Sequence, residues 1–339
     1  CAAICGADNW VAIELFAKSK EAWFKKFLAL PNGIPSHDTL GRLFAALDPN
    51  GFRDCFVSWV QGLRGVMQGE VVAIDGKTLR RSFDANTSKA AIHMVNAWAS
   101  STGISLGQLA TDAKSNEITA VPKLLDILAI KGCVVTIDAM GCQKDIAAKI
   151  VAKEADYVLA LKGNQGTLHK EVEKFFEWAR TGDADAPVLS FDETVDGEHG
   201  RVEIRRCWTT NDVGWFADKS SWKKLTSFAM VESERTVSGN TSLERRYYIS
   251  SLCGDDASSM ARAIRAHWGV ENSLHWVLDV AFREDDSRIR TGHAAENFGV
   301  IRQIALNLLK QDKSVKVGIA NKRLHAGWDH DYLLKILGI

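Results

Sequence analysis

Two short apolar runs in this chain of 339 residues each end on a single aspartate. Val71-Val72-Ala73-Ile74 leads into Asp75, and Cys133-Val134-Val135-Thr136-Ile137 leads into Asp138. Both runs are rich in β-branched residues and bounded by glycine, Gly76 after the first and Gly132 and Gly141 around the second, which is the pattern of buried strands. A carboxylate at the end of a buried strand is costly to desolvate unless something cationic compensates it. Two such strands in one sheet would bring like charges together, and a divalent metal between them relieves the repulsion. The chemistry this predicts is metal-assisted phosphoryl transfer at the rim of a sheet.

A third carboxylate comes from the far end of the chain. Asp255, Asp256 and Ser258 form a capping signal for one long predicted helix running to about Phe282. Ile264, Trp268, Val270, Leu274, Val277 and Ala281 mark its buried side. Glu271 sits among them, with His267 one turn before it, His275 one turn after and Asp279 two turns after. Residues four apart share a helix face, so these groups form a predicted polar stripe against the core. Buried Glu and His are costly unless they bind or brace something, so His267, His275 and Asp279 are candidate ligands or supports for the ligands. Hydrogen bonding to neighbouring helices explains His275 and Asp279 equally well.

Cationic residues gather near the same strand ends. Lys77, Arg80 and Arg81 follow Asp75, and Lys162 and Asn164 follow the strand-like run Tyr157 to Leu161. Arg201, Arg205 and Arg206 alternate with apolar residues in a later strand. Lys77, Arg80, Arg81, Lys162, Asn164, Arg201 and Arg205 are therefore candidate contacts to phosphates, although a solvated loop or strand face accounts for them just as simply.

The elements needed to position these groups fall in order along the chain. Residues 1–66 read as a helical domain that could bind DNA ends. Residues 67–180 read as three strands followed by alternating helices and strands, the order of a ribonuclease-H-like α/β catalytic domain. In that fold the first and fourth strands are central neighbours, which would set Asp75 beside Asp138. Residues 181–254 read as a β-rich insertion, and residues 255–339 return to the core with the Glu271 helix and the C-terminal helices.

Bulk properties set the outer limits. Forty-two basic and forty-two acidic residues cancel, which argues against a protein that coats DNA through a uniformly basic surface. Seven cysteines without metal-ligand spacing fit reduced packing thiols in a cytoplasmic protein, and no apolar run is long enough for a membrane span. The chain starts at Cys1 rather than methionine, so further residues are expected before it.

Several blocks resemble a known family. Ala73-Ile74-Asp75-Gly76-Lys77-Thr78-Leu79-Arg80 is similar to the first catalytic motif of bacterial insertion-sequence transposases of the DDE type. Val135-Thr136-Ile137-Asp138-Ala139 resembles the second motif and His267-Trp268-Gly269-Val270-Glu271-Asn272 the third. Lys114-Ser115-Asn116-Glu117-Ile118, Lys162-Gly163-Asn164-Gln165 and His199-Gly200-Arg201-Val202-Glu203 resemble blocks of the branch of H-repeat-associated proteins found with Rhs elements.

The resemblance implies that Asp75, Asp138 and Glu271 hold two magnesium or manganese ions. It also implies a dimer or higher assembly acting on double-stranded DNA, at element ends and target, in the bacterial nucleoid. The long stretch between Asp138 and Glu271 is similar to that of larger transposases that cut through a hairpin. Where many relatives have Tyr, Arg and Lys around the third motif, this chain has Ile264, His267 and Leu278. Phosphate contacts would then fall to His267, His275 or nearby arginines. Two other readings share part of this pattern: a domesticated or decayed relative that binds DNA without catalysis, and a nuclease without strand transfer.

Overall fold

The computed structural model describes residues 1–63, 68–83, 90–111, 117–198 and 201–339. Four helices come first: α1 (Trp10–Ser19), α2 (Glu21–Phe24), α3 (His37–Ala46) and α4 (Pro49–Leu63). Asn9 and Ser36 cap α1 and α3 by accepting from the backbone N–H of Ala12 and Thr39. Next come β1 (Val71–Thr78), β2 (His93–Ala99), β3 (Ile104–Ala110), α5 (Glu117–Ile127), β4 (Val134–Ile137), α6 (Lys144–Ala152), β5 (Asp156–Leu161) and α7 (Gly166–Ala179). A meander of β6 (Ser190–Glu198), β7 (Arg201–Thr210), β8 (Ser227–Val237) and β9 (Asn240–Ser250) follows. The chain closes with α8 (Ala257–His267), α9 (Trp276–Phe282), α10 (Ala294–Gln311), α11 (Ile319–Trp328) and α12 (His330–Leu337).

All nine strands of the described residues form one sheet, in the order β3-β2-β1-β4-β5-β9-β8-β7-β6. β1 pairs antiparallel with β2, while β1, β4 and β5 run parallel. Val72, Ala73 and Ile74 are wholly buried, as expected for a central strand covered on both faces. Residues 190–250 do not make a sheet of their own. β9 pairs antiparallel with β5 (Leu159 opposite Ile249), so the meander satisfies the backbone edge that β5 would otherwise expose.

The N-terminal helices pack on this sheet. Phe56 and Val60 of α4 share a core with Val95, Leu106 and Leu124. Trp10 of α1 meets Phe44 of α3 and Phe298 of α10 with ring centroids 5.0 and 5.1 Å apart. The expected boundary at residues 66 and 67 lies outside the described residues, as do Lys114 to Asn116 and His199-Gly200. Among the described residues no helix is long and apolar enough to cross a membrane, and all seven cysteines are free.

The expected single helix from Asp256 to Phe282 is not one regular helix. Asp256 does cap it, accepting from Ser259 N at 2.9 Å. After α8, however, the chain passes through a turn at Trp268 and a π-helical turn over Glu271–His275 before α9 begins. The Trp276 N–H reaches back five residues to the Glu271 carbonyl. This wider turn inserts an extra residue into the helical ladder and destroys the four-residue stripe through Glu271 and His275. His275 turns into the core, 8% exposed, whereas Glu271 faces out. Trp268, expected in the core, is 37% exposed.

Candidate active site

The two aspartates follow the same last shared pair of neighbouring strands. The parallel register of β1 and β4 ends at Ile74 opposite Ile137, so Asp75 and Asp138 follow the last shared pair on strands about 4.8 Å apart. β1 continues in its ladder with β2 as far as Thr78, whereas β4 ends. Asp138 then caps a single 3-10 turn, Ala139–Gly141, its Oδ1 accepting from Met140 N at 2.9 Å and Gly141 N at 3.4 Å. Oδ2 of the same carboxylate takes no part in those two bonds. The turn packs so tightly that a Cβ on Gly141 would collide with Ile137. Asn164, just after β5, donates from Nδ2 to the Ala139 carbonyl at 2.5 Å and pins the turn from the neighbouring strand.

Asp75, Asp138, Glu271 and His267 line one pocket, together with Lys162, His169, Arg245, Arg246 and Trp268. Burial pushes the Asp75 carboxyl up to about 7; the Gly76 backbone N–H opposes this, while the negative charges of Glu117, Asp138 and Glu271 add to it. The proton is thus held by a shortage of positive charge at the strand end. Among the described residues no three His, Cys, Asp or Glu side chains converge closely enough to form a finished metal cage.

His267 lines the pocket, and His275 lies beside Asp75. His267 Nδ1 lies 3.0 Å from the Thr136 hydroxyl on β4, and burial lowers its pKa despite the nearby Asp138. His275 Nδ1 lies 3.5 Å from Asp75 Oδ2, and its Nε2 lies 3.3 Å from Asn96 Nδ2. Burial, then the Lys77 charge, lowers the His275 pKa to about 4, so it stands as a neutral imidazole.

The expected phosphate contacts divide into two groups. Lys77 points inward rather than to solvent. Its side chain is 9% exposed, and its ammonium bonds Asp279 and, at 2.7 Å, Glu284 Oε2. Burial works against that charge, but Glu284 and Asp279 outweigh it and raise the Lys77 pKa. Arg302 approaches the other Glu284 oxygen at 3.6 Å. Asp279 therefore serves this ion cluster. Arg205 is held between Asp196 across on β6 (2.6 Å) and Glu203 on its own strand (2.7 Å), and Arg206 between Glu193 on β6 (2.8 Å) and Glu234 on β8 (2.9 Å). Asn164 is occupied by the Asp138 turn. Arg80 and Arg81 stay on the surface with loose partners in Asp285 (3.1 Å) and Asp286 (3.7 Å), and Arg201 and Lys162 are exposed.

The structure adds groups for which the sequence offered no role. Glu117 opens α5, and its Oε1 meets His93 Nε2 at 2.6 Å, while His93 Nδ1 lies 2.9 Å from the Thr78 hydroxyl. Both side chains cover Gly76, where a Cβ would collide with Glu117 Oε1 and His93 Nε2. The glycine after Asp75 is thus required by close approach rather than by backbone conformation. Arg246 stacks its guanidinium over Trp268 at 4.7 Å, which explains why that tryptophan is left at the pocket wall. The only sequence signal for Glu117 was its place in the Lys114–Ile118 block.

Comparison with known proteins gives a consistent pattern. A family model described as transposase DDE domain matches residues 67–308, and a second, DDE_Tnp_1-associated, matches residues 1–60. The chain is 46% identical over 341 residues to YncI of Escherichia coli O157:H7, named as a candidate transposase, covering 99% of this chain and 86% of that protein. It is 42% identical over 344 residues to YhhI of Escherichia coli K12, named as an H repeat-associated candidate transposase, covering 99% and 89%. A piggyBac transposase synaptic complex with hairpin DNA aligns with 100% of this chain and 70% of its own at 11% identity and a TM-score of 0.43, too loose a match to bear on fold or function.

Proposed function

The chain belongs to the transposase DDE-domain family, and from that premise we propose that it cuts and joins DNA strands at the ends of an insertion element by metal-dependent phosphoryl transfer. Asp75, Asp138 and Glu271 are the metal-holding carboxylates in this reading. The observation that carries it is their presence in one pocket with Asp75 still protonated near neutrality. The donors are hard oxygens suited to magnesium or manganese. The open arrangement is compatible with this, because magnesium is commonly held by one or two carboxylates plus substrate phosphates rather than by a closed protein cage. The central order β3-β2-β1-β4-β5 supports a ribonuclease-H-like catalytic domain.

Two bound ions would supply an activated water or 3′-hydroxyl nucleophile and stabilise the leaving oxygen. The chain's own residues do the rest. Asp138 presents Oδ2 because Oδ1 is committed to its turn, and Asn164 keeps that turn in place. Lys162 lines the pocket with the carboxylates and is suited to the phosphate beside the cut, while Arg245 and Arg246, in the same lining, are paired with Glu232 at 2.8 Å and Glu244 at 2.8 Å. Arg80, Arg81 and Arg201 stand exposed at the surface where duplex DNA would run farther out, and residues 1–63 offer a surface for the element end. A dimer or higher assembly would pair the two ends in the bacterial nucleoid.

The test is strand nicking of element-end duplex with magnesium. Asp75→Asn and Asp138→Asn are expected to abolish nicking while leaving duplex binding within about threefold. Unchanged nicking by either variant would refute the site assignment.

A further inference from the structure

We infer that a chain of buried side-chain amides, running from α10 to β2, fixes His275 as the tautomer that carries its proton on Nδ1 and so aims an N–H at Asp75. The inference rests on the reading of Asp75 as a catalytic carboxylate, but its geometry is independent of that reading.

The polarity of the chain starts at a group that cannot be reversed. The backbone carbonyl of Glu296 only accepts, and Gln108 Nε2 donates to it at 3.2 Å. Gln108 must therefore turn Oε1 the other way, where Gln303 Nε2 donates to it at 2.7 Å. The second hydrogen of the same Gln303 amino group goes to Asn96 Oδ1, also at 2.7 Å. Gln303 Oε1 is satisfied by the Ser105 hydroxyl at 2.8 Å. Ser105 is itself clamped through its backbone by Asn307, N–H to Oδ1 and Nδ2 to carbonyl, each at 2.9 Å.

With Oδ1 of Asn96 turned to Gln303, its Nδ2 must face His275 Nε2, 3.3 Å away. An amide nitrogen only donates, so Nε2 must be the bare nitrogen of the ring. A neutral imidazole with a bare Nε2 carries its hydrogen on Nδ1, and Nδ1 is the atom beside Asp75 Oδ2 at 3.5 Å.

Burial makes this order rigid. Asn96 and Gln108 are 3% exposed, Gln303 1%, and Ser105 and Asn307 are fully buried, so no bulk water can stand in for a reversed amide. Reversing one amide would set two amino groups or two carbonyls against each other, and each unmatched group costs about 1–3 kcal/mol. The π-turn supplies the other half of the device, since it rotates His275 inward from the face Glu271 occupies. An N–H turned toward Oδ2 at 3.5 Å favours the ionised carboxylate through its positive end. His275 is thus a positioning residue for Asp75, and α10 sets its state from across the β2–β3 edge.

Nitrogen NMR of the full chain labelled with 15N-histidine tests the tautomer without reference to catalysis. The signal lost in His275→Asn should show a bare Nε2 and a protonated Nδ1 at pH 7.5. A protonated Nε2, or an imidazolium, would overturn the inference. In Asn96→Asp an acceptor replaces the donor at the same place, so Nε2 should gain a proton; a still bare Nε2 would overturn it as well. Manganese titration by calorimetry supplies a separate readout: Asn96→Leu and Gln303→Leu should each weaken binding about tenfold, as support of a ligand requires. Unchanged affinity in both would remove the link to Asp75. If the NMR outcome holds while Asp75→Asn still nicks DNA, the amide chain stands and the catalytic assignment of Asp75 falls.

Discussion

Ile74 on β1 and Ile137 on β4 are the last residues the two parallel strands share in register, so Asp75 and Asp138 follow side by side. One aspartate stays within a strand and the other turns away. Asp75 remains laddered to β2 opposite Asn96, while Asp138 is drawn into a 3-10 turn. The pair thus combines a stiff carboxylate with one whose position depends on a loop.

The first consequence is a dependence on pH. The Asp75 carboxyl, raised to about 7 in the folded chain, binds its proton more tightly there than when unfolded. Stability of the metal-free protein should therefore fall as pH rises from about 4 through 7, and stay low above that. Asp75→Asn removes the charged form and should unfold at higher urea than wild type at pH 8, by at most about 4 kcal/mol, with the gap narrowing as pH falls and closing only below about pH 4. Manganese affinity should rise with pH up to about 7 and then level off, because binding displaces the proton. A flat affinity between pH 5.5 and 7 would contradict the raised Asp75.

Lys77 offers a test of burial against DNA contact. Removing its ammonium leaves Glu284, 5% exposed, facing only Arg302 at 3.6 Å. Lys77→Met should cost about 3–5 kcal/mol in denaturant unfolding. Adding Glu284→Gln to it should restore part of that loss. If Lys77 instead contacts phosphate, stability would hold and the salt dependence of DNA binding would change.

Gly76→Ala examines the close approach of Glu117 and His93. A methyl group there must displace both side chains, so the folded state should lose about 1–3 kcal/mol. A thermal midpoint equal to wild type would mean that the Glu117–His93 pair moves freely, contrary to its bonded arrangement.

Asn164→Ala separates positioning from phosphate binding. Loss of the bond to the Ala139 carbonyl should loosen the Asp138 turn and weaken manganese binding about tenfold, with duplex affinity unchanged. A drop in duplex affinity with a shallower salt slope would instead make Asn164 a DNA contact.

Lys162 has the opposite expectation. It is exposed at the pocket and bonds nothing in its loop that positions a carboxylate. Lys162→Ala should weaken binding to all duplex sequences alike and reduce the slope of log K against log salt by about 1. An unchanged slope would place its side chain away from the phosphates.

Much of the fold was legible because its signals are local. The runs into Asp75 and Asp138 read as buried strands from β-branched content alone, and the Asp256 cap was visible at the start of its helix. The meander of residues 190–250 was also readable as strands, but its continuation of the central sheet was not. Which edge a hairpin joins depends on backbone groups left open elsewhere.

The π-turn was invisible for a related reason. Its sequence, Glu271 to His275, keeps ordinary helical spacing, and only the packing of Leu274 and His275 against β1 and β2 favours the wider turn. The direction of Lys77 was hidden likewise, since its partners Asp279 and Glu284 lie over 200 residues away.

The sequence by itself determined which residue types could hold a metal and that two of them follow buried strand runs, because strand burial is written in consecutive side chains. Only the tertiary structure decided which charges face DNA and which neutralise one another, how His275 is protonated, and why Gly76 must be small. Those outcomes depend on side chains brought together from distant segments, where desolvation and hydrogen-bond polarity act among neighbours in space.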